Sequence, residues 1–326
     1  MRRRKTFGDL LFYGVLFLFV VVALFSALQI LEGTVLNPAQ ELQTAHSKTI
    51  TRDGVDYFPR QDITTILVMG IDRKGPVADS ESYQNPGAAD MVMLLIFDEA
   101  ERVCDILYLN RDTMVEMPVL GIGGRQAGTW YGQLALSHTY GSGLHDSCEN
   151  TCQTVSDLLY GARIDYYAAM HMDAIPILND AVGGVTVTVT DDFSAVDPDL
   201  QKGVILLKGD QAVRFVQSRS GVGDQLNLSR MERQKAYVDS FTTAFRSAAD
   251  ADEAFALKIY DQIAPYLVTD CSVNAITGMI DRYSDYRVRE VVSPAGENVL
   301  DGEYYEFHLD EAALDALILR LLYAPK

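Results

Sequence analysis

The residues in this chain with the most chemistry are arginines and aspartates, and they fall in two groups. Arg214, Arg219, Arg230 and Arg233 lie in one stretch, closed by Gln234 (RFVQSRSGVGDQLNLSRMERQ, positions 214–234). Asp72-Arg73, Asp90 and Arg111-Asp112 form the other, upstream. Arginine presents a rigid, charged fork of donors matched to phosphate and carboxylate oxygens. Aspartates on neighbouring connections can share a hard cation such as magnesium, with phosphate oxygens completing its shell. The plain alternative is that these residues neutralise one another as ordinary ion pairs, or that Asp90 and Asp112 cap local turns.

The flanking sequence says what positions them. Asp62–Gly70 is β-branched and almost wholly apolar, as a buried central strand would be, and it runs into Ile71-Asp72-Arg73. Ligands of open α/β sheets bind at such strand ends. A loop over Lys74–Ala89 leads to Asp90 and a strand over Met91–Phe97. Val103–Leu109 is a third strand, ending in Asn110-Arg111-Asp112-Thr113. Pro118–Gly132 reads as a glycine-rich loop without P-loop spacing, Gln133–Tyr140 as a short helix, and Cys148–Tyr160 as a helix ended by Gly161. Further on the pattern predicts a strand over Ile164–Met170, a helix over Asp173–Val182 and an alternating strand over Val185–Thr190. Asp191–Leu200 is an acidic loop and Gly209–Arg219 a helix. A longer helix starts at Asn227 or Ser229 and runs to about Ala249. In it Arg230, Arg233 and Gln234 share one face near an N-terminus that itself favours phosphate. Residues 250–326 carry helices near Glu253–Ala264, Val273–Tyr283 and Glu311–Leu322. Strands fall near Tyr286–Val292 and Tyr304–His308, with no charged or catalytic cluster among them.

Composition narrows the function. The net charge is −18. Arg2, Arg3, Arg4 and Lys5 against Asp9 leave +3 on residues 1–31, so residues 32–326 are near −21. So acidic a domain argues against nucleic-acid binding and makes an arginine cluster conspicuous. Leu10–Leu31 holds no charged side chain. At about 1.5 Å per residue it spans roughly 33 Å, enough for a bilayer core. Basic residues before it and Glu32 after it predict a cytoplasmic N-terminus (1–9), an uncleaved anchor (10–31) and an extracytoplasmic remainder; a cleaved signal peptide is the rival reading. Residues 32–60 read as a linker or a short strand pair. Cys104, Cys148, Cys152 and Cys271 read as buried thiols. There is no G-x-S-x-G and no H-E-x-x-H, and His46, His138, His145, His171 and His308 are scattered, which leaves Ser-His-Asp hydrolysis without support.

Gly70-Ile71-Asp72-Arg73, Ala89-Asp90-Met91-Val92-Met93-Leu94 and Asn110-Arg111-Asp112-Thr113 resemble three ordered motifs of the LytR–CpsA–Psr family. Leu136–Gly141, Ile164–Tyr167 and Ala181–Val187 resemble later signatures. Phe215–Arg219, followed by Ser229–Gln234, resembles its arginine pair and R-x-x-R-Q segment. The resemblance spans about residues 62–245. It implies an α/β fold, three-layer α-β-α with a central mixed β-sheet behind one N-terminal transmembrane helix. The catalytic domain would be 61–249, with 250–326 completing it. It implies a cell-membrane phosphotransferase that moves a glycopolymer, such as teichoic acid or capsule, from a polyprenyl pyrophosphate carrier to peptidoglycan. An apolar pocket would take the polyprenyl chain. Asp72 and Asp90 would bind Mg2+. Arg73, Arg111, Arg219, Arg230 and Arg233 would contact the pyrophosphate, assisted by Gln234, and Asp112 or Asp90 would serve as base unless Asp112 only orients Arg111. A binding or regulatory protein without turnover, and a polyprenyl pyrophosphate hydrolase, are the alternatives. The chain departs from the family pattern at Ala88-Ala89 and Gln217, where arginines are expected, at Asn227, where an aspartate is expected, and at Gln133-Leu134-Ala135.

Overall fold

The computed structural model describes residues 49–325 except 81–82, 122, 224–226, 253, 273–274, 276–277, 280–281, 284–285 and 303. The segment expected to anchor the chain lies outside the described residues, as do Asp224 and much of the helix expected over Val273–Tyr283. Among the described residues no helix is long and apolar enough to cross a membrane.

In chain order the strands are β1 (Ile50–Arg52), β2 (Val55–Pro59), β3 (Ile63–Asp72), β4 (Ala88–Asp98), β5 (Val103–Leu109), β6 (Met114–Leu120), β7 (Gln126–Gln133), β8 (Tyr166–His171), β9 (Val185–Val189), β10 (Gly203–Leu207), β11 (Leu267–Thr269), β12 (Arg287–Val292), β13 (Gly296–Asp301), β14 (Tyr304–Leu309) and β15 (Tyr323–Pro325). The helices are α1 (His145–Leu158), α2 (Ala174–Ala181), α3 (Asp210–Gln217), α4 (Asn227–Ala251), α5 (Phe255–Ile263) and α6 (Glu311–Leu322), with a 3-10 helix over Leu134–Thr139.

The central sheet has six strands in the order β11-β8-β3-β4-β5-β12. β8 runs parallel to β3 and β12 parallel to β5, while the other neighbours are antiparallel, so the sheet is mixed as expected. The inner strands are apolar at nearly every position because both faces are covered. Ile66, Val68, Met93, Leu95, Ile106 and Tyr108 point to a core shared with α2, α3, α4 and α5. Their neighbours Leu67, Met69, Val92, Leu94 and Leu107 point to a second core under α1 and α6. The two-residue alternation of the strands thus sorts one continuous apolar run into two cores.

Several expectations change. Pro118–Gly132 is not a loop: β6 and β7 pair from Met114↔Gln133 to Leu120↔Gln126. β7 is largely exposed, Trp130 and Tyr131 included, so it lacks the buried alternation by which strands are recognised. Of the two readings of 32–60, the strand pair holds for β1 and β2, which β15 extends. β10, β11 and β13 were not expected. β10 pairs with β9, close enough that Gly184, at φ +97°, would carry a Cβ 2.7 Å from the Leu207 carbonyl; only glycine fits there. Residues 250–326 do complete the sheet, supplying both edge strands, β11 and β12. They also hold charge at one edge, where Arg289 binds both oxygens of the buried Asp105 and reaches Glu101 at 2.6 Å. All four cysteines are buried free thiols.

Candidate active site

The ends of β3, β4 and β5 bring the upstream group together. Gly70 pairs with Met91 but Ile71 pairs with Ala89, so Asp90 is the extra residue of a bulge in β4. Bulges re-aim a side chain, and this one leaves the buried Asp90 facing the downstream arginines. Arg230, on the first turn of α4, donates from Nη1 to Asp90 Oδ2 at 2.9 Å and from Nη2 to its backbone carbonyl at 3.1 Å. Arg111 donates from Nη1 to Asp90 Oδ1. Two arginines therefore grip one carboxylate.

Asp112, fully buried, makes the matching half. Arg219 Nη1 donates to its Oδ2 at 2.8 Å, and Arg111 Nε lies 3.2 Å from its Oδ1. Gln133 Nε2 reaches the same Oδ1 at 3.3 Å while donating to the Tyr305 carbonyl at 2.7 Å. Phe307 N–H donates to the Asp112 carbonyl at 2.8 Å. The β13–β14 hairpin, where no functional cluster was expected, thus frames Asp112. Asp90, Arg111, Asp112, Arg219 and Arg230 form one network.

Asp72 stands at the rim. One oxygen accepts from Gln217 Nε2 at 2.7 Å. Burial pushes its carboxyl above the usual range and Asp90 pushes the same way, against Arg111, Arg230 and Lys74. Burial pulls the Arg230 guanidinium down, though arginine stays charged. Asp72 and Asp90 fit a magnesium ion by donor chemistry. They are two hard carboxylates whose mutual repulsion a cation relieves, and carboxylate oxygens have lone pairs beyond those given to N–H donors. Among the described residues no third His, Cys, Asp or Glu joins them, so phosphate oxygens and water would supply the rest of the shell.

Not every expected residue joins. Arg233 is buried under α3, donating from Nε to the Phe215 carbonyl at 3.1 Å, from Nη2 to the Ser218 carbonyl and from Nη1 to Asp191 at 2.6 Å, over the Phe193 ring. It ties α4 to the end of α3 instead of facing Asp90. Arg73 is exposed, one residue beyond Asp72. Arg214 turns to Asp197 at 2.7 Å. Gln234 accepts from the Tyr108 hydroxyl and donates to the Val216 carbonyl at 3.1 Å.

Gln234 also lines an apolar cavity of about 120 Å³ between the sheet, α2 and α4. Its wall includes Met91, next in chain to Asp90, and Gly70, two residues before Asp72, so the cavity lies along the same two strands as these aspartates. Met91, Met93, Met170 and Met172 line it too. These methionines were not singled out from sequence; the signal for Met91 and Met93 was the two-residue spacing that puts both on one face of β4. Asn110 and Asn227 were missed as well: Asn227 Nδ2 donates to Asn110 Oδ1 at 2.6 Å, and Asn227 Oδ1 accepts from Arg230. Three buried nitrogens of the cluster, Asn110 Nδ2, Arg111 Nε and Arg230 Nε, have no hydrogen-bond acceptor. Orphaned buried donors are costly unless an acceptor arrives.

The structure is thus a mixed α/β sandwich with arginines gathered near strand ends and an apolar cavity on the same strands. The chain belongs to the LytR_cpsA_psr family, whose model matches residues 33–321. It is 26% identical over 267 residues to a polyisoprenyl-teichoic acid–peptidoglycan teichoic acid transferase, TagU, of Halalkalibacterium halodurans, covering 82% of this chain and 78% of that protein. It is 24% identical over 268 residues to TagT of Bacillus subtilis, covering 79% and 76%. A solved structure of TagT bound to LI-WTA superposes with a TM-score of 0.61 at 21% identity over 88% of this chain and 98% of that one. B. subtilis TagV superposes with 0.59 at 20% identity over 80% and 96%. These structures share the fold.

Proposed function

We propose that this chain is an extracytoplasmic, membrane-anchored phosphotransferase that moves a glycopolymer from a polyprenyl pyrophosphate carrier to peptidoglycan. The observation that carries the reading is the network of Arg111, Arg219 and Arg230 around Asp90 and Asp112, with unpartnered donors, beside an apolar cavity. The names of the relatives TagU and TagT point the same way.

In this reading the polyprenyl chain lies in the cavity and the pyrophosphate meets the arginines. A hydroxyl oxygen of the acceptor attacks the phosphorus that bears the glycan. A new P–O bond forms, the bridging P–O bond breaks, and polyprenyl monophosphate leaves while the hydroxyl proton passes to a base. Fixed positive charge placed where negative charge develops is the main source of catalysis in such transfers. Magnesium held by Asp72 and Asp90 would neutralise charge on the pyrophosphate oxygens. Asp112, with both oxygens occupied, serves to hold Arg111 and Arg219 in place, which favours the orienting role over that of base. The buried Asp90 does the same for Arg111 and Arg230.

The test supplies the full-length chain in detergent with magnesium, a polyprenyl pyrophosphate-linked oligosaccharide and peptidoglycan fragments. Covalent transfer of the oligosaccharide supports the reading. Phosphate release with no transfer makes the protein a hydrolase, and binding with no turnover makes it a lipid-binding protein.

A further inference from the structure

The charged network is closed by an uncharged link. Asn110, at the end of β5, and Asn227, at the start of α4, are both buried. Asn110 Oδ1 accepts from the Asp112 backbone N–H at 3.0 Å and from Asn227 Nδ2 at 2.6 Å. Asn227 Oδ1 in turn accepts from Arg230 Nη2. From Asp112 hydrogen bonds run through Asn110, Asn227, Arg230 and Asp90 to Arg111, which closes the ring as an ion pair with Nε 3.2 Å from Asp112 Oδ1. The Asp112 N–H needs an acceptor, which fixes the Asn110 amide with its oxygen toward Asp112 and Asn227 and its Nδ2 free. Given that orientation, position 227 must both donate to Asn110 and accept from Arg230. Asparagine does both, whereas an ionised aspartate only accepts.

Charge gives the arrangement its consequence. Arg111, Arg219 and Arg230 face Asp90 and Asp112, so the hydrogen-bonded network has one positive charge to spare, with Asp72 outside it at the rim. A carboxylate at 227 would cancel it and set two oxygens against each other at Asn110. We propose that Asn227 and Asn110 are positioning residues for the anion site: they aim the Arg230 fork without drawing on its charge, and so leave the network cationic for the pyrophosphate. The inference rests on the reading that this site takes a pyrophosphate.

The experiment measures binding of geranylgeranyl pyrophosphate and of inorganic pyrophosphate to the full-length chain in detergent, at low and high salt, for wild type, Asn227→Asp and Asn227→Ala. A unit charge this close to a buried site is expected to change affinity by about tenfold, and burial leaves it little screened by salt. Asn227→Asp should therefore lose about tenfold relative to wild type at low and high salt alike. Asn227→Ala keeps the charge of the network and only frees the fork, so its loss should be smaller than that of Asn227→Asp at both salt concentrations. A purely structural role would lower the melting temperature of both variants and make Asn227→Asp bind no more weakly than Asn227→Ala, which overturns the proposal. Asn227→Asp binding within about twofold of wild type at both salts also overturns it. If wild type binds neither ligand, the pyrophosphate reading itself fails and the inference falls with it.

Discussion

Arg230 holds Asp90 by two separate acceptors, the carboxylate through Nη1 at 2.9 Å and the backbone carbonyl through Nη2 at 3.1 Å. The helix that carries the arginine is thereby locked to the bulge that carries the aspartate. Removing one partner of a buried ion pair leaves an uncompensated charge. Arg230→Ala is therefore expected to destabilise the fold by about 3 kcal/mol, with Arg111 still supporting Asp90. Arg230→Lys keeps the charge but lacks the fork for two acceptors and should recover only part of that loss. Urea unfolding of the two variants checks both statements.

Asp72 sits where its charge is disfavoured. Its carboxyl titrates above the usual range, through burial and the charge of Asp90. A raised carboxylate pKa withdraws stability as pH rises through it. Asp72→Asn should therefore unfold no earlier than wild type at neutral pH while losing transfer and any rise in melting temperature on adding magnesium. A variant that still responds to magnesium would remove Asp72 from the metal site.

Gln217 donates to Asp72 at 2.7 Å. Gln217→Arg brings a guanidinium to the same carboxylate. It should tighten binding of inorganic pyrophosphate and raise the magnesium concentration needed for half-maximal turnover, because cation and arginine then compete for Asp72. Titrating both ligands against the variant measures the two effects separately.

The cavity wall offers a cut between head and tail. Met170 lines it from β8, partly buried. Met170→Trp fills that space, at a cost to stability of about 1–3 kcal/mol if the core must yield. It should weaken geranylgeranyl pyrophosphate binding by about tenfold or more, since most of the buried apolar area of the ligand is lost, and leave inorganic pyrophosphate binding unchanged.

Away from the site, Asp270 accepts the Tyr167 N–H at 2.8 Å, and burial raises its pKa to about 6. The folded protein binds this proton more tightly than the unfolded chain, so stability falls as pH climbs from the ordinary carboxylate range to about 6. Asp270→Asn keeps an acceptor for Tyr167 and removes the charge. It should raise stability by roughly 2 kcal/mol at pH 7.5, with the gain vanishing near pH 3.5. Thermal melts at the two pH values read the difference.

Much of the site was legible because its residue types are costly to place otherwise. Asp72, Asp90, Arg111, Asp112, Arg219 and Arg230 stood out as charges at the ends of apolar strands or on one helix face, and the fold joins them. The five-residue spacing of Arg214, on α3, and Arg219, just past its end, did not reveal that Arg214 faces Asp197. The shared face of Arg230 and Arg233 did not reveal that Arg233 spends its donors on α3 carbonyls. Asn227, Gln133 and Gln217 stood out only as departures from the family pattern and Asn110 only as part of a motif, because a neutral amide does not say which group it will meet. Their roles come from partners that are 117, 21 or 145 residues away in the chain.

Local pattern alone decided the apolar strands, the long helix α4, the placement of the charges and the family, since period and residue type are properties of the chain itself. Tertiary structure decided which charge meets which. The bulge at Asp90, the β13–β14 hairpin against Asp112 and the cavity behind Gly70 and Met91 each depend on contacts between distant segments. Such contacts are fixed by packing both faces of the sheet at once, and no window of sequence contains them.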